Sequence, residues 1–238
     1  MIEDENTWIV EEIRQYQTIT HGANFLCMYS GGKDSGLAMA VALEHGGKIS
    51  GLIHLLENGD SLYHRQSISV IKAQAQAIGT QLYYMPYKWW NNWDRAEADL
   101  RQLQKIGAQN IVFGDIRLKY IFLGDIPLCE RSGYGACFPI GGVPYDELMK
   151  LIEKHRIKSI ITTINHPIIS RDLLGTYFSR EVYEYLKDLD VDPFGELDEF
   201  HTTLVDADFF VAPLQYSLVQ KSPDNISVII NSCITMKI

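Results

Sequence analysis

Short apolar runs alternate with longer segments whose apolar residues recur every three or four positions, and the alternation begins at Phe25. Phe25–Tyr29 is a continuous apolar run, the pattern of a strand buried on both faces. Ser35–His45 is Ala-rich and stopped by Gly46-Gly47, which predicts a helix with its terminating glycine. Ile49–Leu56 reads as a second strand. His64–Ile78 carries Ile68, Ile71, Ala75 and Ile78 on one face, an amphipathic helix closed by Gly79. Leu82–Met85 as strand, Asp94–Ile106 as a helix closed by Gly107, and Ile111–Phe113 as strand continue the order. Leu118–Ser132 is helical in pattern but interrupted by Gly124 and Pro127, and Cys137–Ile140 is one more short strand. Strands alternating with helices predict βαβ units and a parallel sheet.

Gly141-Gly142 marks a boundary, and beyond it the pattern loosens. A helix over Tyr145–His155 starts after Pro144, a strand covers Ser159–Ile164, a helix lies near Ser179–Asp188, and β-rich residues run to the end. The expectation is an α/β protein: a Rossmann-like parallel-sheet domain over residues 1–142, with a leader at 1–23 that is helical around Trp8–Tyr16, then a smaller α+β domain over 143–238. The length of 238 residues accommodates this division.

Composition narrows the function classes. Against 21 Lys+Arg stand 30 Asp+Glu, a net charge of -9, which argues against non-specific nucleic-acid binding. The four cysteines, Cys27, Cys129, Cys137 and Cys233, form no C-x-x-C pair, so neither a zinc ribbon nor a disulfide scaffold is expected. Buried structural thiols are the expectation for all four, with Cys137 nearest the predicted site. The acidic start Met1–Glu5 leads into no apolar signal region, and no apolar stretch approaches the roughly 20 residues of a membrane span. The expected location is the cytoplasm, with no membrane partner.

The segment carrying most chemistry is Tyr29-Ser30-Gly31-Gly32-Lys33-Asp34-Ser35, between a predicted strand and a predicted helix. Such a loop aims backbone N–H groups and the positive end of a helix dipole at one point, an anion site. Gly31 and Gly32 permit a tight turn and close approach to phosphate oxygens. Lys33 adds a movable positive charge, Ser30 and Ser35 offer hydroxyls, and Asp34 suits a magnesium ion. The loop is not a Walker A sequence, because Cys27 stands where the first glycine belongs and Asp34 follows the lysine; no G-x-G-x-x-G occurs in the chain.

Ser30–Ser35 resembles the SGGxDS loop of the PP-loop ATP pyrophosphatases (adenine nucleotide alpha-hydrolases). Val112-Phe113-Gly114-Asp115-Ile116 and Gly195–Thr202 are similar to the VFGDI-type and GExGEFxT motifs of the diphthine–ammonia ligase family, and Tyr63-His64 also fits its pattern. Asp198 replaces the second Gly of GExGEF, and Phe138-Pro139-Ile140 lacks the Trp that usually follows the Pro; both departures fall on the acceptor side.

The resemblance implies a HUP-type Rossmann-like fold, ATP and Mg²⁺ as cofactors, and ligand binding where the first and fourth strands meet. There Gly114 lets backbone approach the α-phosphate or ribose, and Asp115, with Asp34, binds the metal or the nucleophile. Glu196, Glu199 and His201 then form an acceptor-side constellation suited to ammonia capture or general-base work, joining Lys33, Asp34 and Asp115 as candidate catalytic residues. A strand over Asp198–Leu204 puts Glu199 and His201 on one face. The implied activity is adenylation of an acceptor carboxylate, release of pyrophosphate, and transfer of ammonia. The partners are ammonia and a carboxylate acceptor: diphthine on elongation factor 2 where the organism makes diphthamide, otherwise a small metabolite or peptide. Sulfur transfer to an adenylated carbonyl and an adenine-nucleotide sensor remain as alternatives, and a homodimer is an open oligomeric state. His166 and the pair Trp89-Trp90 are candidate pocket residues.

Overall fold

The computed structural model describes residues 11–56, 67–86 and 92–231. Nine strands form two sheets among these residues. The first is parallel, built from β1 (Asn24–Met28), β2 (Lys48–Leu56), β3 (Leu82–Pro86), β4 (Asn110–Val112) and β5 (Gly135–Cys137), in the order β3-β2-β1-β4-β5. The second is antiparallel, built from β6 (Lys158–Ile164), β7 (Phe200–Asp206), β8 (Tyr216–Ser222) and β9 (Asn225–Ile230), in the order β7-β6-β9-β8. The protein is therefore α/β, with a Rossmann-like sheet and a separate antiparallel sheet after it.

Helix α1 (Lys33–Glu44) follows β1, and Lys33 and Ser35–Ala42 are all buried. That all-round burial has a simple cause: α1 lies between the two sheets, so no face of it needs to be polar. At Gly36, an added Cβ would come within 2.8 Å of Leu204 Cδ2 on β7, so the helix approaches the second sheet closely enough to need a residue without a side chain. The largest core cluster accordingly runs from Phe25 and Leu37 through Met149 to Phe200 and Leu204, across residue 142.

The other helices are α2 (Ile68–Ile78), α3 (Trp93–Gln102), α4 (Lys119–Ser132), α5 (Tyr145–Lys154) and α6 (Arg180–Lys187). Ser67 caps α2 by accepting from Ser69 N–H, Gly79 closes it at φ +75°, and Ser179 caps α6 through Val182 N–H.

Three predicted elements change. The expected helix Asp94–Ile106 ends at Gln102 and continues as a 3₁₀ turn over Gln104–Ile106, capped by Gly107 at φ +81°. The expected break at Gly124 and Pro127 does not occur: α4 is continuous. Pro127 removes the hydrogen bond to the carbonyl of Leu123, a 60% exposed residue whose carbonyl water can satisfy instead. Phe138–Ile140 is a turn, not strand, because Phe138 N–H donates to Tyr16 O at 2.7 Å and Gly141 N–H donates back to Phe138 O. The described part of the leader is helical over residues 11–16, ending in the 3₁₀ turn Arg14–Tyr16. Tyr63-His64, Trp89-Trp90, Cys233 and the leader before residue 11 lie outside the described residues.

Because one core serves both sheets, Leu204→Ala, at a fully buried position, is expected to cost about 2–5 kcal/mol and to lower a single thermal transition. Two separated transitions in wild type, with only the second moved by the substitution, would show that the halves melt independently.

Candidate nucleotide site

The order β3-β2-β1-β4-β5 reverses direction between β1 and β4, and a crevice opens at the carboxyl ends of these strands. The cleft there has a volume of about 500 Å³ and is lined by Ser30, Gly32–Ser35, Gly114-Asp115, Asp125, Glu196–Asp198 and His201 among others. Sequence-distant motifs thus meet at one place.

The loop is shorter than expected. Gly31 turns at φ +86°, Gly32 is the extended N-cap, and Gly36 N–H closes the first helical turn on Gly32 O. Lys33, Asp34 and Ser35 therefore belong to the first turn of α1 rather than to the loop before it. The hydroxyls are internally ordered: Ser30 Oγ lies 3.1 Å from Ser35 Oγ and accepts from Gly32 N–H at 3.3 Å. The second half of the chain fixes the outer side. Thr202 Oγ1 accepts from Lys33 N–H at 3.1 Å, Leu204 N–H donates to Gly31 O at 2.9 Å, and Gln74 Nε2 donates to both Gly31 O and Leu204 O.

Lys33 is not a mobile cation. Its side chain is buried, donates to Phe194 O and to Asp34 Oδ2 at 2.9 Å, and its ammonium lies 5.1–5.3 Å from the ring centres of Phe178, Phe194 and Phe200. The ring faces and a carbonyl replace water around the charge. Stacked on this cage, Tyr145 lies against Phe194 at 4.7 Å and the Arg117 guanidinium lies over Tyr145 at 3.8 Å.

Gly114 lines the cleft and also packs on α1. A Cβ there would come within 2.7–2.9 Å of Ser35 N, Ser35 Cα and Asp34 C, so the missing side chain makes room for the backbone of α1. Asp115, on the same turn, reaches the cleft.

Asp34, Asp115 and Glu196 converge on the cleft from α1, the β4 turn and the segment before β7. Glu196 accepts from Ile116 N–H and Arg117 N–H, both at 3.2 Å, tying the two halves across the opening. Burial, then the charge of Asp34, pushes the Asp115 carboxyl up to about 7. Burial, followed by Asp34 and Asp115, pushes Glu196 up to about 8. Burial also raises Asp34, against the opposing pull of Lys33.

Asp34 Oδ1 is buried without a hydrogen-bond partner, and an orphan oxygen among repelling acids is what a cation relieves. Among the described residues no group of three or more His, Cys, Asp or Glu can hold a metal unaided. Mg²⁺ does not require one, since it binds through one or two carboxylates together with substrate phosphates. Asp34 and Asp115 fit that role.

On the acceptor side the constellation divides. His201 lines the cleft and its Nε2 lies 2.7 Å from Asp198 Oδ1. Glu199 turns away: its strand starts only at Phe200, and its buried carboxylate accepts from Asp192 N–H at 3.0 Å and Leu197 N–H at 2.9 Å. It holds the loop before β7, and His166 joins it on a second cavity rather than on the cleft. Cys27, Cys129 and Cys137 are buried, burial raises each thiol (Cys137 up to about 12), and none lines the cleft.

Sequence reasoning missed His54, Asp125 and the aromatic cage. His54, on β2, is buried with Nδ1 2.7 Å from Tyr29 O, and burial lowers its pKa. Its place near the carboxyl end of a strand next to β1 is a signal that could have flagged it. Asp125, in mid-α4, is pushed well up by burial and by Asp115; nothing local distinguishes it from a surface acid.

A five-stranded parallel sheet with a Gly-Gly turn at its switch point, faced by buried acids, has the build of a nucleotide-binding α/β domain. Residues 23–134 match the family model described as diphthamide synthase N-terminal domain. Among solved structures, the chain is similar to a predicted subunit of tRNA methyltransferase from Methanocaldococcus jannaschii, at 16% identity over 78% of this chain and 97% of that one, with a TM-score of 0.41. It is also similar to the U34-tRNA thiolase NcsA from Methanococcus maripaludis with its 4Fe–4S cluster, at 14% identity over 62% of this chain and 63% of that one, with a TM-score of 0.39. No curated protein matches the chain. No helix among the described residues is long and apolar enough to cross a membrane.

Two outcomes follow from this geometry. Gly114→Ala must move the first turn of α1, so it is expected to destabilise by about 1–3 kcal/mol and to weaken ATP binding at least ten-fold by calorimetry; unaltered binding would separate Gly114 from the loop. The raised acids reverse the usual carboxylate linkage. The folded state keeps protons that the unfolded chain loses near the ordinary carboxyl values of 3.8 and 4.5, so stability is fullest below that range and declines as pH rises toward about 7 for Asp115 and about 8 for Glu196. The thermal midpoint of the ligand-free protein should fall across that window, and Asp115→Asn should flatten the fall. A midpoint that rises instead would contradict the buried, protonated acids.

Proposed function

We propose that this protein is an ATP-dependent amide-forming ligase. It adenylates an acceptor carboxylate, releases pyrophosphate and transfers ammonia, acting in the cytoplasm. The observation that carries the reading is the meeting of the Ser30–Ser35 loop with Asp115, Glu196 and His201 around one cleft. The class itself rests on the PP-loop domain, whose members use ATP.

In this reading the turn from Gly31 into α1 receives the phosphates, using the helix N-terminus and the Ser30 and Ser35 hydroxyls. Mg²⁺, when bound through Asp34 and Asp115, supplies charge stabilisation on the departing pyrophosphate. Lys33 acts from within its cage, holding Asp34 Oδ2 and leaving Oδ1 without a protein partner. The acceptor carboxylate attacks the α-phosphorus, the bond to pyrophosphate breaks, and ammonia then displaces AMP. Glu196 and His201 approach from the second half of the chain, where the acceptor and ammonia are handled. The acceptor is diphthine on elongation factor 2 where the organism makes diphthamide, and otherwise a small carboxylate metabolite or peptide. Nitrogen rather than sulfur is favoured because the described thiols are buried and their ionisation is opposed by that burial.

The test is product analysis with ATP, Mg²⁺, ammonium and diphthine-bearing elongation factor 2. The expected products are AMP and pyrophosphate in a one-to-one ratio with the amide, lost in Asp115→Asn by at least a hundred-fold in rate. ADP as the main product would remove the reading, and so would turnover that requires a persulfide in place of ammonium.

A further inference from the structure

Asp198 and Arg156 are the non-glycine residues at positive φ among the described residues, and Asp198 sits at +71°. An L-residue adopts that conformation at a cost, and such strain gathers at functional sites. Here the backbone has no freedom to relax. Asp198 N–H donates to Gly195 O at 3.3 Å, Asn165 Nδ2 donates to Asp198 O at 3.0 Å, and the Glu199 carboxylate grips Leu197 N–H beside it. The result aims the Asp198 carboxylate at His201 Nε2, 2.7 Å away, and both residues line the cleft. The Asp198 side chain is 70% exposed, and an exposed pair adds little stability. The arrangement is costly in backbone and nearly neutral in energy, so its consequence is orientation.

We propose that Asp198 is a positioning residue that holds the His201 imidazole in its Nε2–H form, so that His201 Nδ1 takes the proton released when ammonia displaces AMP. A carboxylate only accepts hydrogen bonds, so the ring nitrogen facing it must carry the proton and the other keeps the lone pair. In the step concerned, the nitrogen–carbon bond forms at the acyl carbon, the carbon–oxygen bond to AMP breaks with its electron pair leaving on AMP, and one proton of the nitrogen passes to Nδ1. The base role rests on the ligase reading above; the tautomer does not.

The first measurement is the imidazole ¹⁵N spectrum of the ligand-free protein, with His201 assigned by its loss in His201→Gln. Wild type should show the Nε2–H form, and Asp198→Gly should show a mixture. Glycine accepts positive φ freely, so the thermal midpoint should hold within a few degrees. In the ammonium-dependent assay, Asp198→Gly should lower kcat at least ten-fold with KM for ATP unchanged, and Asp198→Glu should recover part of it. An unchanged tautomer, an unchanged kcat, or a collapsed thermal midpoint in Asp198→Gly would overturn the proposal. AMP formation indifferent to ammonium would instead overturn the ligase reading, while the ¹⁵N spectrum would still decide whether Asp198 sets the tautomer.

Discussion

The phosphate loop has its shape because strand β7 is fastened to it. Leu204 N–H reaches Gly31 O, Thr202 Oγ1 takes Lys33 N–H, and the Thr202 carbonyl would lie 3.2 Å from a Cβ at Gly32. β7 is an edge strand of its sheet, so its outward backbone groups need partners, and the loop supplies one. Gln74, fully buried on α2, closes the triangle by donating to Gly31 and to Leu204. The nucleotide site is therefore not a property of the parallel sheet alone. It exists where the antiparallel sheet is docked.

The same docking explains the charges. Lys33 leaves water to enter a cage of Phe178, Phe194 and Phe200, all from the second half of the chain. A buried cation is tolerable only with compensation, and Asp34 with the Phe194 carbonyl provides it. That leaves Asp115, Asp125 and Glu196 around the cleft with their negative forms disfavoured by burial and by neighbouring acids, Asp34 among them. The cleft is thereby short of positive charge, which a divalent cation would supply. Glu196 also bridges to the backbone of Ile116 and Arg117, so the acid that senses this imbalance also spans the opening.

Local patterns carried the parallel sheet and most of its helices, because buried central strands and amphipathic helices announce themselves by periodicity. They carried the Gly-Gly turn between β1 and α1 for the same reason, because a strand, two glycines and a helix start are legible in one short window. They failed where a residue's role depends on what packs on it. Lys33 reads as a phosphate ligand until three phenylalanines, at least 145 positions later in the chain, surround it. Gly114 reads only as a close-approach glycine on the ligand side, but it also makes room for the backbone of α1. Glu199 and His201 read as neighbours on one strand face, but the strand starts after Glu199 and its carboxylate is spent on two loop N–H groups.

The sequence by itself determined that this is an α/β chain with a Gly-Gly turn between its first strand and the helix after it, since both follow from the order of apolar runs, glycines and helix starts within short windows. Tertiary structure alone decided which charged groups face the cleft and in what state. Burial and the distance between acids from α1, the β4 turn and the segment before β7 set those properties. They arise from the close packing of two sheets on one helix, which no local window of residues encodes.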